Sequence, residues 1–218
     1  MQLGLIPIIA LTVFLLIRAE FRQQQRQVYF FKPLSTLLVI AVAVLAFGEP
    51  EAQTAYTVGV LIGLFFSLGG DVALMFESKT AFLAGLVSFL LGHVAYAITF
   101  SLYAGFHPKD LIAAAALLTL ALLTYLYLKP GLNGMKGPVI AYIAIISLMV
   151  NRAVSAFFSP NFTLVQAWLV SSGATLFWIS DLMLAVNRFR RPFHYHRISL
   201  AFYYGGQLLI ALSPSYFG

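Results

Sequence analysis

Eight long apolar runs, separated by short connectors, dominate this chain of 218 residues. A run of about 20 apolar residues is long enough to cross the hydrocarbon core of a bilayer as a helix. Lipid offers the backbone no hydrogen-bond partners, so a spanning segment must satisfy its own amides and carbonyls. We therefore expect an all-α polytopic membrane bundle of about eight transmembrane helices. The runs cover approximately residues 2–17, 33–47, 56–76, 80–104, 110–128, 138–158, 164–186 and 197–212.

The composition excludes several other classes of protein. Charged residues make up 9% of the chain and hydrophobic residues 61%, whereas about 25% of the residues of an ordinary soluble domain are charged. A cytosolic enzyme and a disordered chain are therefore excluded. The absence of cysteine excludes a disulfide scaffold, thiol catalysis and cysteine-ligated metals. No connector is long enough to hold a soluble domain, so we expect one integral membrane domain over residues 1–218.

The cations concentrate at alternate connectors, which sets the expected orientation. Eleven of the thirteen Lys and Arg residues belong to this set: Arg18, Arg22, Arg26, Lys32, Lys79, Lys129, Lys136, Arg188, Arg190, Arg191 and Arg197. The positive-inside rule places these connectors in the cytoplasm and both termini on the non-cytoplasmic side. We expect the membrane to be a bacterial cytoplasmic membrane. Anionic lipids attract such cations, so the net charge of +6 requires no nucleic-acid partner.

A short segment occurs twice, in the third and in the seventh run. Residues 70–74 and 180–184 both read small residue, Asp and, three positions later, Leu. Runs that are four apart cross the membrane in the same direction, so the segment suggests a faint four-plus-four parallel repeat about an axis along the membrane normal. The other matched positions are Pro33 with Pro138 and His93 with Tyr203.

Two carboxylates, Asp71 and Asp181, lie inside the apolar runs about five residues from the cytoplasmic ends, which is roughly 7 Å deep. A carboxylate within a membrane normally faces the bundle interior or a water-filled cavity. Their common depth predicts a shared pocket, where one protonated and one ionised carboxyl would serve as general acid and base. The alternative is that each Asp pairs separately with a cation or caps a broken helix and only stabilises the packing.

Other polar residues inside the runs also need partners. Arg152, beside Asn151, lies near the middle of the sixth run and needs an anion, which is either one of the two aspartates or a substrate phosphate. His93 is either a hydrogen-bonded core residue or a proton carrier. A metal site at His93 needs more ligands, and the other close histidines, His194 and His196, lie in a basic connector, so we expect no metal and no other cofactor.

Polar groups near the start of the second run and in the last run are placed to reach the same cytoplasmic-side cavity. Tyr203 and Gln207 lie in the last run, where interfacial anchoring is the alternative role for a tyrosine. Lys32 precedes Pro33, which we expect in the first helical turn. Lys32 is then either a phosphate-binding cation or a solvated charge at a helix end.

Six short motifs are spread in order over nearly the whole chain: Lys32-Pro33-Leu34, Phe66-Ser67-x-Gly69-Gly70-Asp71, Gly92-His93-x-x-Tyr96, Asn151-Arg152-Ala153, Ser180-Asp181-x-x-Leu184-Ala185 and Tyr203-Tyr204-x-x-Gln207. Together they resemble the YhhN family of membrane lysoplasmalogenases. The resemblance implies an eight-helix membrane hydrolase that cleaves the vinyl ether bond of lysoplasmalogens. The products are a fatty aldehyde and glycerophosphoethanolamine or glycerophosphocholine.

The resemblance also implies roles for the polar residues. One of Asp71 and Asp181 donates a proton to the alkene, while the other stabilises the resulting cation and orients water. The order of the two is open, as is the oligomeric state. Lys32 and Arg188 are the candidates for binding the head group of the lysophospholipid. The candidate positioning residues are His93, Tyr96, Asn151, Arg152, Tyr203 and Gln207.

Three other functions are compatible with buried charges in a membrane bundle. A proton-coupled transporter or channel uses buried Asp, His and Arg residues, with its site near the midplane. An intramembrane aspartyl protease carries Gly-x-Gly-Asp, but this chain has Leu68 where the first glycine would stand. A structural or lipid-sensing protein would hold the same charges in a static network.

Overall fold

Eight α-helices joined by short turns make up most of residues 2–50 and 52–217, which the computed structural model describes. The helices are α1 Ile6–Phe21, α2 Gln25–Leu45, α3 Thr54–Ala73, α4 Lys79–Ala104, α5 Asp110–Leu128, α6 Lys136–Val154, α7 Leu164–Phe189 and α8 Ser199–Leu212. These described residues contain no β-strand. The predicted all-α bundle is therefore confirmed.

Most of the helices have the length and the apolar composition of membrane spans. Within the described residues, seven helical segments are long and apolar enough to cross a membrane. Helix α8 has 14 residues, or about 21 Å, and is extended by 3-10 turns at His194–Ile198 and Ser213–Tyr216. The chain is thus a multi-pass membrane protein, and its described residues form seven full-length apolar helices and a shorter eighth.

Helix α2 begins at Gln25, well before the predicted start at residue 33. Its first turn is polar, so the apolar pattern does not reveal it. Pro33 consequently lies inside the helix, where it lacks the amide that would bond to the preceding turn. The expectation that Pro33 opens the helix is wrong. Lys32 is part of the same helix and is only 7% exposed, so it is not a solvated charge at a helix end.

The packing of α2–α4 is repeated by α6–α8. Helix α2 packs on α3 and α3 on α4, as α6 packs on α7 and α7 on α8. Helix α2 also meets α8, and α4 meets α6, so each half closes on the other in the same way. This pattern is the one expected of a four-plus-four parallel repeat.

A constant separation of 110 residues relates the two halves. It connects Lys32 with Tyr142, Asp71 with Asp181, and His93 with Tyr203. Pro33 and Pro138 do not share this separation. Pro33 is the ninth residue of α2, whereas Pro138 is the third residue of α6. The two aspartates therefore occupy equivalent places in the two halves, whereas the two prolines do not.

Glycines allow the helices of each half to approach closely at equivalent points. Gly63 of α3 faces Tyr96 of α4, and Gly173 of α7 faces Gly206 of α8. These pairs are also 110 residues apart. A Cβ atom at Gly63 or Gly173 would collide with the facing helix, so both crossings depend on the small residue.

The connectors gather at two ends of the bundle. We call one the basic end: it carries the connectors α1–α2, α3–α4, α5–α6 and α7–α8, together with most of the cations. The opposite end carries the other three connectors. That the basic end faces the cytoplasm stays a prediction from the positive-inside rule.

Candidate active site

A polar cavity of about 470 Å³ lies at the basic end of the bundle. Asp71 and Asp181 both line it, so the two carboxyls share one pocket. Other charged side chains also line the cavity: Glu20, Lys32, Glu77, Lys79, Arg188 and Arg197. Arg197 forms an ion pair with Glu20 and thereby links the segment before α8 to α1.

Asp71 lies near the end of α3 and is 1% exposed. Thr36 and Tyr203 each donate a hydroxyl hydrogen bond to its Oδ2, at 2.6 Å and 2.7 Å. The Nζ atom of Lys32 lies 3.9 Å from Oδ1. Two hydroxyl donors and one cation therefore compensate this carboxylate, an arrangement that suits a buried negative charge.

The backbone beside Lys32 is tied to the last helix. The hydroxyl of Tyr204 donates to the carbonyl oxygen of Lys32 at 2.9 Å and lies 3.2 Å from the hydroxyl of Thr36. Helices α2 and α8 are thus joined by hydrogen bonds next to Asp71.

Asp181 lies eight residues before the end of α7, and 13% of its side chain is exposed to the cavity. Tyr142 of α6 donates its hydroxyl to Oδ2 at 2.6 Å. The Nε2 atom of His93 is 3.6 Å from the same oxygen. Among the described residues, no Lys or Arg forms an ion pair with Asp181. Asp181 therefore lacks the cation that accompanies Asp71.

His93 is fully buried, and its ring nitrogens have no hydrogen-bond partner within the described part of the chain. Its ring packs against Tyr142 and Phe177, with centroid separations of 5.2 Å and 4.6 Å. At 3.6 Å, its contact with Asp181 is longer than a hydrogen bond. Residues 2–50 and 52–217 contain no group of three His, Asp or Glu side chains placed to hold a metal ion.

The two carboxyls take their partners in equivalent ways but of different chemistry. Asp71 meets Lys32 from its own half and Tyr203 from the other half. Asp181 meets Tyr142 from its own half and His93 from the other half. The repeat thus places two like carboxyls at one cavity, and among the described residues only Asp71 has a cationic partner, since Tyr142 stands at Asp181 where Lys32 stands at Asp71.

Tyr96 and Gln207 lie deeper in the bundle than the cavity. The hydroxyl of Tyr96 donates to Oε1 of Gln207 at 2.7 Å, and both side chains are buried. Gln207 is one helical turn beyond Tyr203 in α8. The structure therefore brings these two predicted positioning residues together beneath the carboxyls, and neither lines the cavity.

Arg152 lies at the opposite end of the bundle, in the last turn of α6 rather than near the middle of its helix. Its guanidinium forms an ion pair with Asp110 at 2.6 Å and donates to Ser155 at 2.6 Å. It also donates to the carbonyl oxygen of Gly105 at 2.7 Å, and Asn151 donates to the carbonyl oxygen of Asp110 at 2.9 Å. These bonds join α6 to the connector before α5.

This cluster corrects the expected partner of Arg152. Neither Asp71 nor Asp181 pairs with it, because both carboxyls lie toward the basic end. The sequence did not single out Asp110, since it stands at the edge of an apolar run and resembles an ordinary connector residue. Arg152 and Asn151 are thus not brought to the cavity.

Arg188 is exposed in the last turn of α7 and lines the cavity. Its guanidinium lies over the ring of Phe82, 4.6 Å from the centroid. An anchored, exposed guanidinium next to a polar cavity is suited to bind a phosphate with two parallel hydrogen bonds.

Two residues that contact the carboxyls are not among the predicted site residues. Thr36 lies one helical turn after Lys32 on the same face of α2, and that spacing is a signal that points to it. Tyr142 is one of 11 tyrosines. The signal that points to Tyr142 is its separation of 110 residues from Lys32, which equals the separation between Asp71 and Asp181.

The comparison with known families decides where this chain belongs. The family model described as the YhhN family matches residues 27–214, which include every residue that contacts Asp71 or Asp181. The chain belongs to the YhhN family. No solved structure matches this YhhN protein.

The curated relatives of this YhhN protein include membrane proteins and named lysoplasmalogenases. It is 35% identical to lysoplasmalogenase TMEM86A of Bos taurus over 71% of this chain and 64% of the relative. It is 32% identical to human lysoplasmalogenase TMEM86B over 69% of this chain and 60% of the relative. The chain thus spans less than two thirds of these two proteins. It is 30% identical to a protein named uncharacterized membrane protein YhhN of Escherichia coli O157:H7, over 94% of this chain and 95% of the relative.

Proposed function

We propose that this YhhN protein hydrolyses the vinyl ether bond of a lysoplasmalogen. The products are a fatty aldehyde and glycerophosphoethanolamine or glycerophosphocholine. The observation that carries the proposal is one polar cavity with two carboxyls, of which only Asp71 has a cationic partner within the described residues. The lysoplasmalogenases among the relatives support the substrate class. The positive-inside rule places the cavity on the cytoplasmic side in this proposal.

Protonation of carbon is the first step of vinyl ether hydrolysis. Asp181 donates its proton to the second carbon of the alkenyl chain, and the alkene electron pair forms the new C–H bond. The first carbon and the ether oxygen then share the positive charge of an oxocarbenium ion. Asp71, held as an anion by Lys32, stabilises this charge as a carboxylate does in glycoside cleavage.

Water completes the reaction and returns both carboxyls to their starting state. Water adds to the first carbon and loses a proton to Asp71, which gives a hemiacetal. The hemiacetal hydroxyl then returns a proton to Asp181, while Asp71 gives its proton to the glycerol oxygen as the C–O bond breaks. One water is consumed, and each carboxyl acts once as acid and once as base.

Lys32 and Arg188 are both predicted from the sequence to bind the head group, but their different surroundings give them different roles in this proposal. Lys32 is buried beside Asp71, so we assign it to charge compensation at that carboxylate. Arg188 is exposed at the cavity, so we assign it to the substrate phosphate, with the bidentate geometry that a guanidinium offers. The glycerol and the vinyl ether then lie further inside, between the phosphate and the carboxyls.

The test of this function uses purified protein in detergent and three lysophospholipids that differ only at the first glycerol oxygen. The 1-alkenyl lipid should release aldehyde. The 1-alkyl lipid should bind and compete without being cleaved, because it has no alkene to protonate. The 1-acyl lipid should not be hydrolysed. If folded protein releases no aldehyde with either head group, or cleaves the 1-acyl lipid, the proposed function is wrong.

A further inference from the structure

A groove of about 520 Å³ lies between α5 and α6, away from the polar cavity. Its volume is within the range of about 300–1,000 Å³ that is typical of small-molecule sites. Residues between Ala114 and Tyr125 line it from α5, and residues between Ile140 and Asn151 line it from α6. Neither carboxyl of the candidate active site lines this groove, so the two spaces are distinct.

The groove remains open because α5 makes few contacts and because small side chains face it. In the most apolar stretch of the span Asp110–Gly131, 6% of the residues are buried, against 33–50% in the other six spans. Ala121 and Ala144 are part of the lining, so methyl groups stand where larger side chains would fill the space. Leu118 and Leu122 also line the groove and are 72% and 56% exposed. The groove is therefore open to the hydrocarbon of the membrane.

The groove has the direction, the length and the chemistry of a site for a lipid chain. It runs along both helices from Tyr125 and Ile140, toward the basic end, to Ala114 and Asn151. These limits are 11 positions apart on each helix, or about 16 Å. The hydrocarbon core of a bilayer is about 30 Å thick, so the chains of one leaflet are about 15 Å deep. Apart from Tyr125, Ser147 and Asn151, the lining side chains are apolar.

Two lysines stand beyond the groove at its basic end. Lys129 follows Tyr125 by one helical turn, and its amide donates a hydrogen bond to the carbonyl oxygen of Tyr125. Lys136 is the first residue of α6 and precedes Ile140 by one turn. Residues 129–136 include no Asp or Glu, and among the described residues neither lysine forms an ion pair. The two positive charges are therefore not compensated by this connector.

A third cation reaches the same end from α7. The guanidinium of Arg190 lies over the ring of Tyr127 on α5, 5.4 Å from the centroid. A Cβ atom at Gly131 would collide with the carbonyl oxygen of Phe189, so the connector between α5 and α6 lies against the end of α7. Arg190 and both lysines are exposed. The phosphate of an anionic lipid complements these charges.

We propose that the groove between α5 and α6 binds one chain of an anionic bilayer phospholipid whose head group contacts Lys129 and Lys136. The lipid belongs to the leaflet at the basic end. It is not the substrate, because neither Asp71 nor Asp181 lines the groove, so a chain held there places no linkage at the carboxyls. The inference does not depend on the proposed function. The bound chain supplies packing that α5 lacks within its own chain.

Lipid binding is measured by native mass spectrometry of the purified protein in detergent. The protein is titrated with phosphatidylglycerol, or with phosphatidylcholine that has the same chains. We expect one tightly bound phosphatidylglycerol with a Kd about tenfold lower than that of phosphatidylcholine. The double variant Lys129→Gln/Lys136→Gln changes only exposed side chains and should bind the two lipids with nearly equal, weaker affinity.

A matched pair of substitutions on α6 locates the chain. Ala144→Phe fills the groove, whereas Ala141→Phe adds the same bulk at an exposed position outside it. Ala144→Phe should raise the Kd for phosphatidylglycerol by about tenfold, and Ala141→Phe should leave it unchanged. Phosphatidylglycerol should raise the midpoint of thermal unfolding of the wild type and of Ala141→Phe, but not that of Ala144→Phe.

Several results would overturn this lipid site. Equal affinities of the wild type for the two lipids would contradict the role of the lysines, and equal Kd values for Ala144→Phe and Ala141→Phe would contradict the groove. Displacement of the bound phosphatidylglycerol by one equivalent of a non-cleavable 1-alkyl lysophospholipid would make the groove a substrate site instead. Loss of the lipid when the protein dimerises would make a second copy the occupant.

Discussion

Replacement of Asp181 or Asp71 by Asn is expected to lower the rate of aldehyde release by about 10²- to 10⁴-fold, the contribution typical of a positioned acid or base. Asn has nearly the shape of Asp, so Tyr142 and Tyr203 can still donate to the remaining carbonyl oxygen. What Asn lacks is an exchangeable carboxyl proton. The measurement is the initial rate per folded molecule at saturating 1-alkenyl lysophospholipid.

Two controls distinguish chemistry from folding in this experiment. Glu49→Gln removes an exposed carboxylate at the opposite end of the bundle and should leave the rate unchanged. Asp71→Asn leaves Lys32 without its anion, so the double variant with Lys32→Met should regain stability but not activity. If either single Asn variant turns over at the wild-type rate, the acid and base pair is wrong.

Arg152→Met is expected to destabilise the protein by about 3–5 kcal/mol, because it leaves the buried carboxylate of Asp110 uncompensated. Thermal unfolding in one detergent should show the loss as a lower midpoint, and Asp110→Asn should lower it in the same direction. Lys109→Met, which removes an exposed cation from the same connector, is the matched control and should have little effect.

Activity separates a structural role of Arg152 from a role in binding. The folded fraction of Arg152→Met should release aldehyde at the wild-type rate, because Arg152 lies at the opposite end from the cavity. If Arg152→Met instead has normal stability but no activity, Arg152 binds the substrate. That result would contradict the assignment of the Arg152 and Asp110 pair to folding.

The helices and the pairing of the aspartates could be predicted from the sequence for a simple physical reason. The thickness of the bilayer sets the length of each apolar run, so the helices are visible in the sequence. A charge buried in the bilayer is energetically unfavourable, so the few charged residues inside the runs are also visible. Asp71 and Asp181 also come with a repeated local segment, which places them on equivalent helices. Their meeting at one cavity follows from these two features.

The partners of the buried charges could not be predicted in the same way. Helix α2 starts with a polar turn, so the apolar pattern put Lys32 at the rim of the predicted cavity and did not reveal its ion pair with Asp71. The chain has three aspartates that could pair with Arg152. Depth counted from the ends of the apolar runs favoured Asp71 or Asp181, whereas the partner is Asp110. Tyr142 becomes recognisable only when the separation of 110 residues between the two aspartates is applied to Lys32, whose contact with Asp71 the structure shows.

The most direct measurement of the central proposal is hydrolysis of a 1-alkenyl lysophospholipid by the wild-type protein in deuterium oxide, with mass and chiral analysis of the aldehyde. A carboxyl fixed beside the alkene delivers its deuteron to the second carbon from one side. The predicted result is an aldehyde with one deuterium at that carbon in a single configuration. An aldehyde without deuterium there, or with both configurations in equal amounts at first turnover, would contradict proton transfer from a carboxyl held in the cavity.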